Sequence, residues 1–189
     1  MARIRTFIGV ALDKAIRDRT VALQETLART GTEVKWVEPE NLHVTMLFLG
    51  EVDDREIAKV CGIVAEIAQQ HSAFLMSVES AGCFPNPRRP RILWVGVAEG
   101  SQPLCAIHDA LEIPLQELGY RREERKYTPH ITLGRVKIST DQLTAALAQQ
   151  AGWKGGEILV RELHVMGSQL TPQGPVYTVL SRAKLAAQR

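Results

Sequence analysis

His43-Val44-Thr45-Met46 and His130-Ile131-Thr132-Leu133 are two copies of one pattern: histidine, β-branched residue, threonine, long aliphatic. In a β-strand, residues i and i+2 share a face. Each copy therefore presents an imidazole and a hydroxyl to one side and buries two apolar side chains behind. Brought together, two such faces supply one histidine to take a proton, one to give it, and two hydroxyls to hold what lies between. That is equipment for cleaving a phosphodiester without a metal. With five histidines and twelve threonines in 189 residues, chance yields roughly 0.3 His-x-Thr triplets. A lone triplet reads first as a strand histidine satisfied by a neighbour; a matched pair with matched flanks reads as chemistry.

Outward from the motifs, the chain alternates strands and helices. Strands are expected at 5–11 and 35–37, at the His43 segment up to Gly50, and at 73–83, 91–98 and 130–137. The tail reads as strands 157–168 and 175–183, joined through Thr171-Pro172-Gln173-Gly174. Residues 12–30 read as a helix, with Ile16, Leu23 and Leu27 on one side and Gly31 as its stop. Ile57, Val60, Cys61, Val64 and Ile67 mark a second helix, capped by Asp53 or Asp54. A third spans 102–118 with a kink expected at Pro114. A fourth runs to about 150 behind a Ser139/Gln142 capping box. Both motif strands precede a helix. The expected fold is α+β and bilobal: two pseudo-symmetric lobes, each an antiparallel sheet with outer helices, forming one domain over 1–189 with the site in a central cleft.

Composition is that of an ordinary globular chain, 45% apolar and 23% charged with a net charge of +2. No apolar run approaches the roughly 18–20 residues of a membrane span, and the first residues enter strand-like sequence at once. A cytoplasmic monomer without membrane contact is therefore expected. Cys61, Cys83 and Cys105 are odd in number and lack metal-type spacing. No cofactor loop occurs, so neither metal nor cofactor is expected. Basic residues cluster at Arg88, Arg89 and Arg91, and again at Arg121, Arg122, Arg125 and Lys126, where Glu123 and Glu124 dilute them. Their nearness to the motifs suits a polyanionic substrate.

Strict alternation points Arg135 away from His130, unless Gly134 marks a bulge that turns it back towards a phosphate. Phe48 has the opposite parity to His43 and is assigned to the core. Trp36 and Tyr127 are candidates for stacking on a base. His71, His108 and His164 are expected to be dispensable.

At these residues the chain resembles the two-histidine (2H) phosphoesterase superfamily, specifically the LigT-like RNA 2',3'-cyclic phosphodiesterases, also called 2'-5' RNA ligases. The likeness includes Arg5-Thr6-Phe7-Ile8, Trp36, Pro39-Glu40-Asn41-Leu42-His43-Val44-Thr45 and Phe48-Leu49-Gly50. It continues through Phe84-Pro85, Pro90 to Gly96 and Pro129 to Arg135, and closes with Ser168, Gly174, Pro175 and Tyr177. Met46 stands where Leu is usual, and Gly134 where Ala is common. The resemblance implies metal-independent hydrolysis of a terminal RNA 2',3'-cyclic phosphate to a 2'-phosphate. It makes His43 the proton donor and His130 the acceptor, with Thr45, Thr132 and Arg135 on the phosphate. Two other functions remain open: RNA ligation through the same histidines, and a nucleotide- or RNA-binding module without turnover.

Overall fold

The computed structural model describes residues 2–121, 126–172 and 174–187. Arg122, Glu123, Glu124 and Arg125 of the second basic cluster, and Gln173 of the turn, lie outside the described residues.

The strands are β1 (Arg3–Ala11), β2 (Glu33–Trp36), β3 (His43–Asp53), β4 (Phe74–Phe84), β5 (Ile92–Val97), β6 (His130–Ile138), β7 (Lys154–Val160), β8 (Glu162–Thr171) and β9 (Gly174–Lys184). They join in one antiparallel sheet of order β7-β4-β5-β6-β3-β1-β8-β9, with β2 also on β6. The helices are α1 (Lys14–Ala28), α2 (Ile57–Gln69), α3 (Ser101–Glu117) and α4 (Asp141–Gln149). Helices α1 and α4 pack on the β2/β4/β7 side, and α2 with α3 on the β3/β8/β9 side. None of the helices among the described residues is long and apolar enough to cross a membrane.

The two lobes meet at the β3–β6 seam, where Val44 and Ile131 form the one ladder pair. Beyond that pair β3 diverges, and β2 takes its place against Gly134 to Ile138. The lobes are thus halves of one sheet that curls and splays, rather than two sheets set face to face. They are not sequence halves either. Strand β1 joins β3, β8 and β9, while β2 joins β4 to β7, so each lobe draws on both ends of the chain.

Packing follows the alternation of the motifs. Val44, Ile131, Val95, Leu93, Ile8 and Val10 point towards the helices and are almost fully buried. They meet Leu23, Leu27, Val60, Val64, Leu104, Ile107 and Leu111 from the helix stripes in the core. Each such side chain contributes about 1.5–3 kcal/mol of transfer free energy. The opposite, inner face carries the histidines.

Local chemistry overrides several expectations. The tail segment expected as one strand over 157–168 breaks at Arg161. Strand β7 pairs with β4, whereas β8 pairs with β1 in the other lobe. Neither Asp53 nor Asp54 caps α2, whose first turn follows Glu56. The Asp53 carboxylate instead accepts from the Arg55 backbone at 3.0 Å and from its guanidinium at 2.9 Å. Thr140, not Ser139, caps α4, accepting from Leu143 N at 3.3 Å. Helix α3 covers its expected span, with Pro114 inside it.

Phe48 is not a core residue. Strand β3 carries extra residues at Met46 and Leu49 relative to β1, because Thr45 faces Gly9, Leu47 faces Ile8, Phe48 faces Phe7 and Gly50 faces Thr6. The first bulge puts Met46 and Leu47 both inside and flips the parity beyond them. Phe48 therefore emerges 53% exposed.

Candidate active site

His43 opens β3 and His130 opens β6, and each is fixed in the same way. The Nδ1–H of His43 donates to the Asn41 carbonyl at 2.6 Å, and that of His130 to the Thr128 carbonyl at 2.7 Å. A carbonyl accepts only, so the proton sits on Nδ1 and each ring offers Nε2 to the inner face. The Val44–Ile131 pair puts both histidines and both threonines on that face, with Thr132 across from His43 and Thr45 across from His130.

The two rings differ in surroundings. His43 stacks on Phe7 with centroids 4.7 Å apart and meets Tyr177 edge-on at 5.4 Å. Its neutral Nε2 accepts from the Thr45 hydroxyl at 2.8 Å. Burial lowers its pKa below the usual histidine value; the Asn41 carbonyl acts in the other direction and the nearby charge of His130 adds to the lowering. His130 is more open, with the Phe84 ring edge-on at 5.2 Å.

Close approach explains a glycine here. A Cβ at Gly9 would lie 2.8 Å from the Val44 carbonyl oxygen and 3.3 Å from His43 Cδ2. The floor under His43 must lack a side chain.

Arg135 reaches the inner face by the route its neighbour suggested. Gly134 faces Leu93 while Thr132 faces Trp94, so Leu133 is an extra residue in β6 and parity flips after it. Arg135 is exposed, and its charge, with that of Arg5, reaches the Tyr177 phenol against the upward push of burial. Phe48 and Arg135 are counterparts, each five residues beyond its histidine and each behind a bulge. Phe48, whose partner Phe7 carries the His43 stack, lies 5.6 Å from Phe7 between centroids. Sequence reading missed it. The signal was the adjacent apolar pair Met46-Leu47, which breaks alternation as Leu133-Gly134 does.

The two aromatic candidates part company. Trp36 packs half-buried against the core, and a Cβ on Gly134 would come within 3.1 Å of its ring. It lines neither of the two cavities beside His130. Tyr127 spans the seam. Its hydroxyl donates to the Thr45 carbonyl at 3.0 Å, its ring stacks on His108 at 4.3 Å, and burial pushes its phenol up.

A cleft of about 810 Å³ opens beside His130, with Phe84, Arg89, Arg91, His108, Lys126 and Tyr127 on its walls. A smaller one of about 230 Å³ shares Phe84, Thr128 and His130 with it and adds Trp94. His164 lies across from Gly9 on β8 and is held by Glu162 at 2.8 Å. Among the described residues, one group of three possible metal ligands occurs, His108, Asp109 and Glu112 on α3, within 4.8 Å of one another. His108 is already engaged there, by the Tyr127 ring and by Asp109 Oδ1 at 3.0 Å from its Nδ1.

Comparison with known proteins places the chain in a family. The family model described as LigT like Phosphoesterase matches twice, over residues 10–94 and 95–177. An RNA 2',3'-cyclic phosphodiesterase of Methanothermobacter thermautotrophicus is 36% identical over 178 residues, covering 93% of this chain and 96% of that protein. One of Archaeoglobus fulgidus is 36% identical over 174 residues, 92% of this chain and 96% of its own. A crystal structure of a Thermus thermophilus protein superposes with a TM-score of 0.84 at 27% identity, covering 98% of this chain and all of that one. With a duplicated family match and relatives aligned almost end to end, the chain belongs to the LigT-like phosphoesterases.

Proposed function

We propose that this protein hydrolyses RNA 2',3'-cyclic phosphate ends to 2'-phosphates, without a metal, using His43 as proton donor and His130 as proton acceptor. The observation that carries the reading is the matched pair of imidazoles on neighbouring strands, each with Nδ1 tied to a carbonyl two residues back. The names of the relatives, RNA 2',3'-cyclic phosphodiesterases, support the same activity and an RNA substrate.

In this mechanism His130 Nε2 takes a proton from water as the water oxygen attacks phosphorus. His43, protonated at Nε2, gives its proton to the departing ribose 3'-oxygen as the P–O3' bond breaks. Thr45, Thr132 and Arg135 hold the non-bridging oxygens and stabilise the charge that develops there. In-line attack puts the ribose on the His43 side, where Phe48 offers an exposed ring to the base. Burial by itself favours neutral His43; an anionic phosphate beside it restores the protonated form that the acid step needs.

A second reading is transfer to the hydroxyl of another RNA end in place of water, through the same histidines. One observation favours it: the cleft beside His130 is about 810 Å³, against roughly 30 Å³ for a water. A labelled oligonucleotide ending in a 2',3'-cyclic phosphate tests both, with and without a 5'-hydroxyl oligonucleotide. A 2'-phosphate end is expected as the main product. Joined strands alone would favour the second reading, and an unchanged substrate would overturn both.

A further inference from the structure

One neighbour holds His43 from two directions. Asn41 closes the short 3-10 turn Pro39–Asn41 and is only 6% exposed. Its carbonyl accepts the His43 Nδ1–H at 2.6 Å, and its Nδ2–H donates to the Pro175 carbonyl at 2.9 Å. Pro175 stands near the start of β9, the outermost strand, which pairs with β8 alone. Among the described residues, the Asn41 amide makes the one hydrogen bond between residues 174–177 and any segment other than β8. Two residues on, the Tyr177 ring meets His43 edge-on at 5.4 Å and Phe7 at 4.9 Å. The free edge of the sheet is thus fastened where its aromatic side chain covers the imidazole. Any residue at position 41 could offer the carbonyl. The Pro175 oxygen needs a donor, and a short amide supplies one without a charge beside the imidazole.

We propose that Asn41 is a positioning residue for the acid step, acting on His43 through the strand it fastens. Its carbonyl decides which ring nitrogen carries the proton, and its amide keeps Tyr177 against the ring so oriented. The inference rests on the hydrolase reading for the acid role of His43; the contact between turn, strand and ring stands apart from it. Without the amide, the Pro175 carbonyl loses its donor and regains one from water only if the start of β9 lifts. Tyr177 lifts with it, and His43 loses its packing on one side. Because burial is what lowers the His43 pKa, exposure raises it. The titratable groups set against the ring, His130 and Tyr177, are kept when Asn41 is replaced, as are Arg5 and Arg135, whose charges reach the phenol.

The test uses the full chain, with NMR titration of the histidine rings and initial rates on adenosine 2',3'-cyclic phosphate. Asn41→Ala is expected to raise the His43 midpoint while that of His130 moves far less. Its kcat should fall about 5–50-fold, the scale of one hydrogen bond, with KM nearly unchanged. Asn41→Leu, which keeps the side chain's bulk without its donor, should match it and supplies the reading if the smaller residue fails to fold. Tyr177→Leu should shift both quantities in the same direction. Since the two positions act through one contact, Asn41→Ala/Tyr177→Leu should be little worse than the more severe single variant. A folded Asn41 variant with the His43 midpoint unmoved, or losses in kcat that multiply in the double variant, would overturn the role of Asn41. A protein that leaves the cyclic nucleotide intact would sink the hydrolase reading instead, and the His43 midpoints of the single and double variants would still decide the contact.

Discussion

Each motif imidazole is oriented by a carbonyl two residues upstream, so the tautomer is set by a local contact. What separates the two rings is environment. His43 is buried between Phe7 and Tyr177 beside a second histidine, and those neighbours lower its pKa. At a pH where a free imidazole is half protonated, it is therefore protonated less often. Anion binding reverses that preference. An NMR titration of His43 should give a midpoint below the usual value of about 6.5 in the free protein, and a higher one with inorganic phosphate bound. In rate profiles, the alkaline limb of kcat should lie at higher pH than that of kcat/KM, because only the former reports the phosphate-bound site. Equal limbs would remove the coupling. At Phe48, loss of the ring by Phe48→Ala should raise KM for cyclic nucleotides by about 5–100-fold, the range of one base-stacking contact. The common face of the two histidines and two threonines was legible in sequence because strand alternation sets it. Phe48 was not, because a bulge, rather than its own identity, decides which way it points.

At the scale of elements, the site depends on how closely β1, β3 and β6 approach. Gly9 lies beneath His43, and an added Cβ would strike the Val44 carbonyl, which belongs to the seam pair and has little room to move. Gly9→Ala should cost about 1–3 kcal/mol in denaturant unfolding, the usual size of overpacking, and should lower kcat through displacement of His43. Full activity with unchanged stability would show that β3 yields more freely than its packing implies. The helix stripes and most strands could be read from periodicity, since 3.6- and 2-residue repeats are set by burial. The break at Arg161 could not. Residues on either side are strand formers, and only partner choice, β4 for one segment and β1 for the next, divides them. The helix starts were missed for a related reason: at α4 Thr140 caps in place of its neighbour Ser139, and at α2 the first turn follows Glu56 with no side-chain cap at all.

On the scale of the whole molecule, the chain passes repeatedly between lobes, and each lobe contains strands from both ends of the sequence. Neither can assemble without the other's segments nearby, so one cooperative unit is expected. The three tryptophans supply a test, since Trp36, Trp94 and Trp153 all lie in or beside β2, β5 and β7 of a single lobe. Tryptophan fluorescence and far-UV circular dichroism should give coincident urea transitions; separated midpoints would mean independently unfolding lobes. The bilobal α+β plan was readable from the two motif strands and their following helices. The exchange of strands was not, because nothing in a strand's own sequence names the lobe it will join. The central claim is that two imidazoles, with no metal, carry both proton transfers. It is tested most directly by hydrolysis of a 2',3'-cyclic phosphate oligonucleotide in excess EDTA, for the protein and for His43→Ala and His130→Ala. The protein should retain its full rate in the chelator, while each variant should lose roughly 10²–10⁴-fold in kcat, the usual scale of general acid–base catalysis. Activity that vanished in EDTA and returned with Mg²⁺ or Zn²⁺, or that survived loss of either histidine, would contradict it.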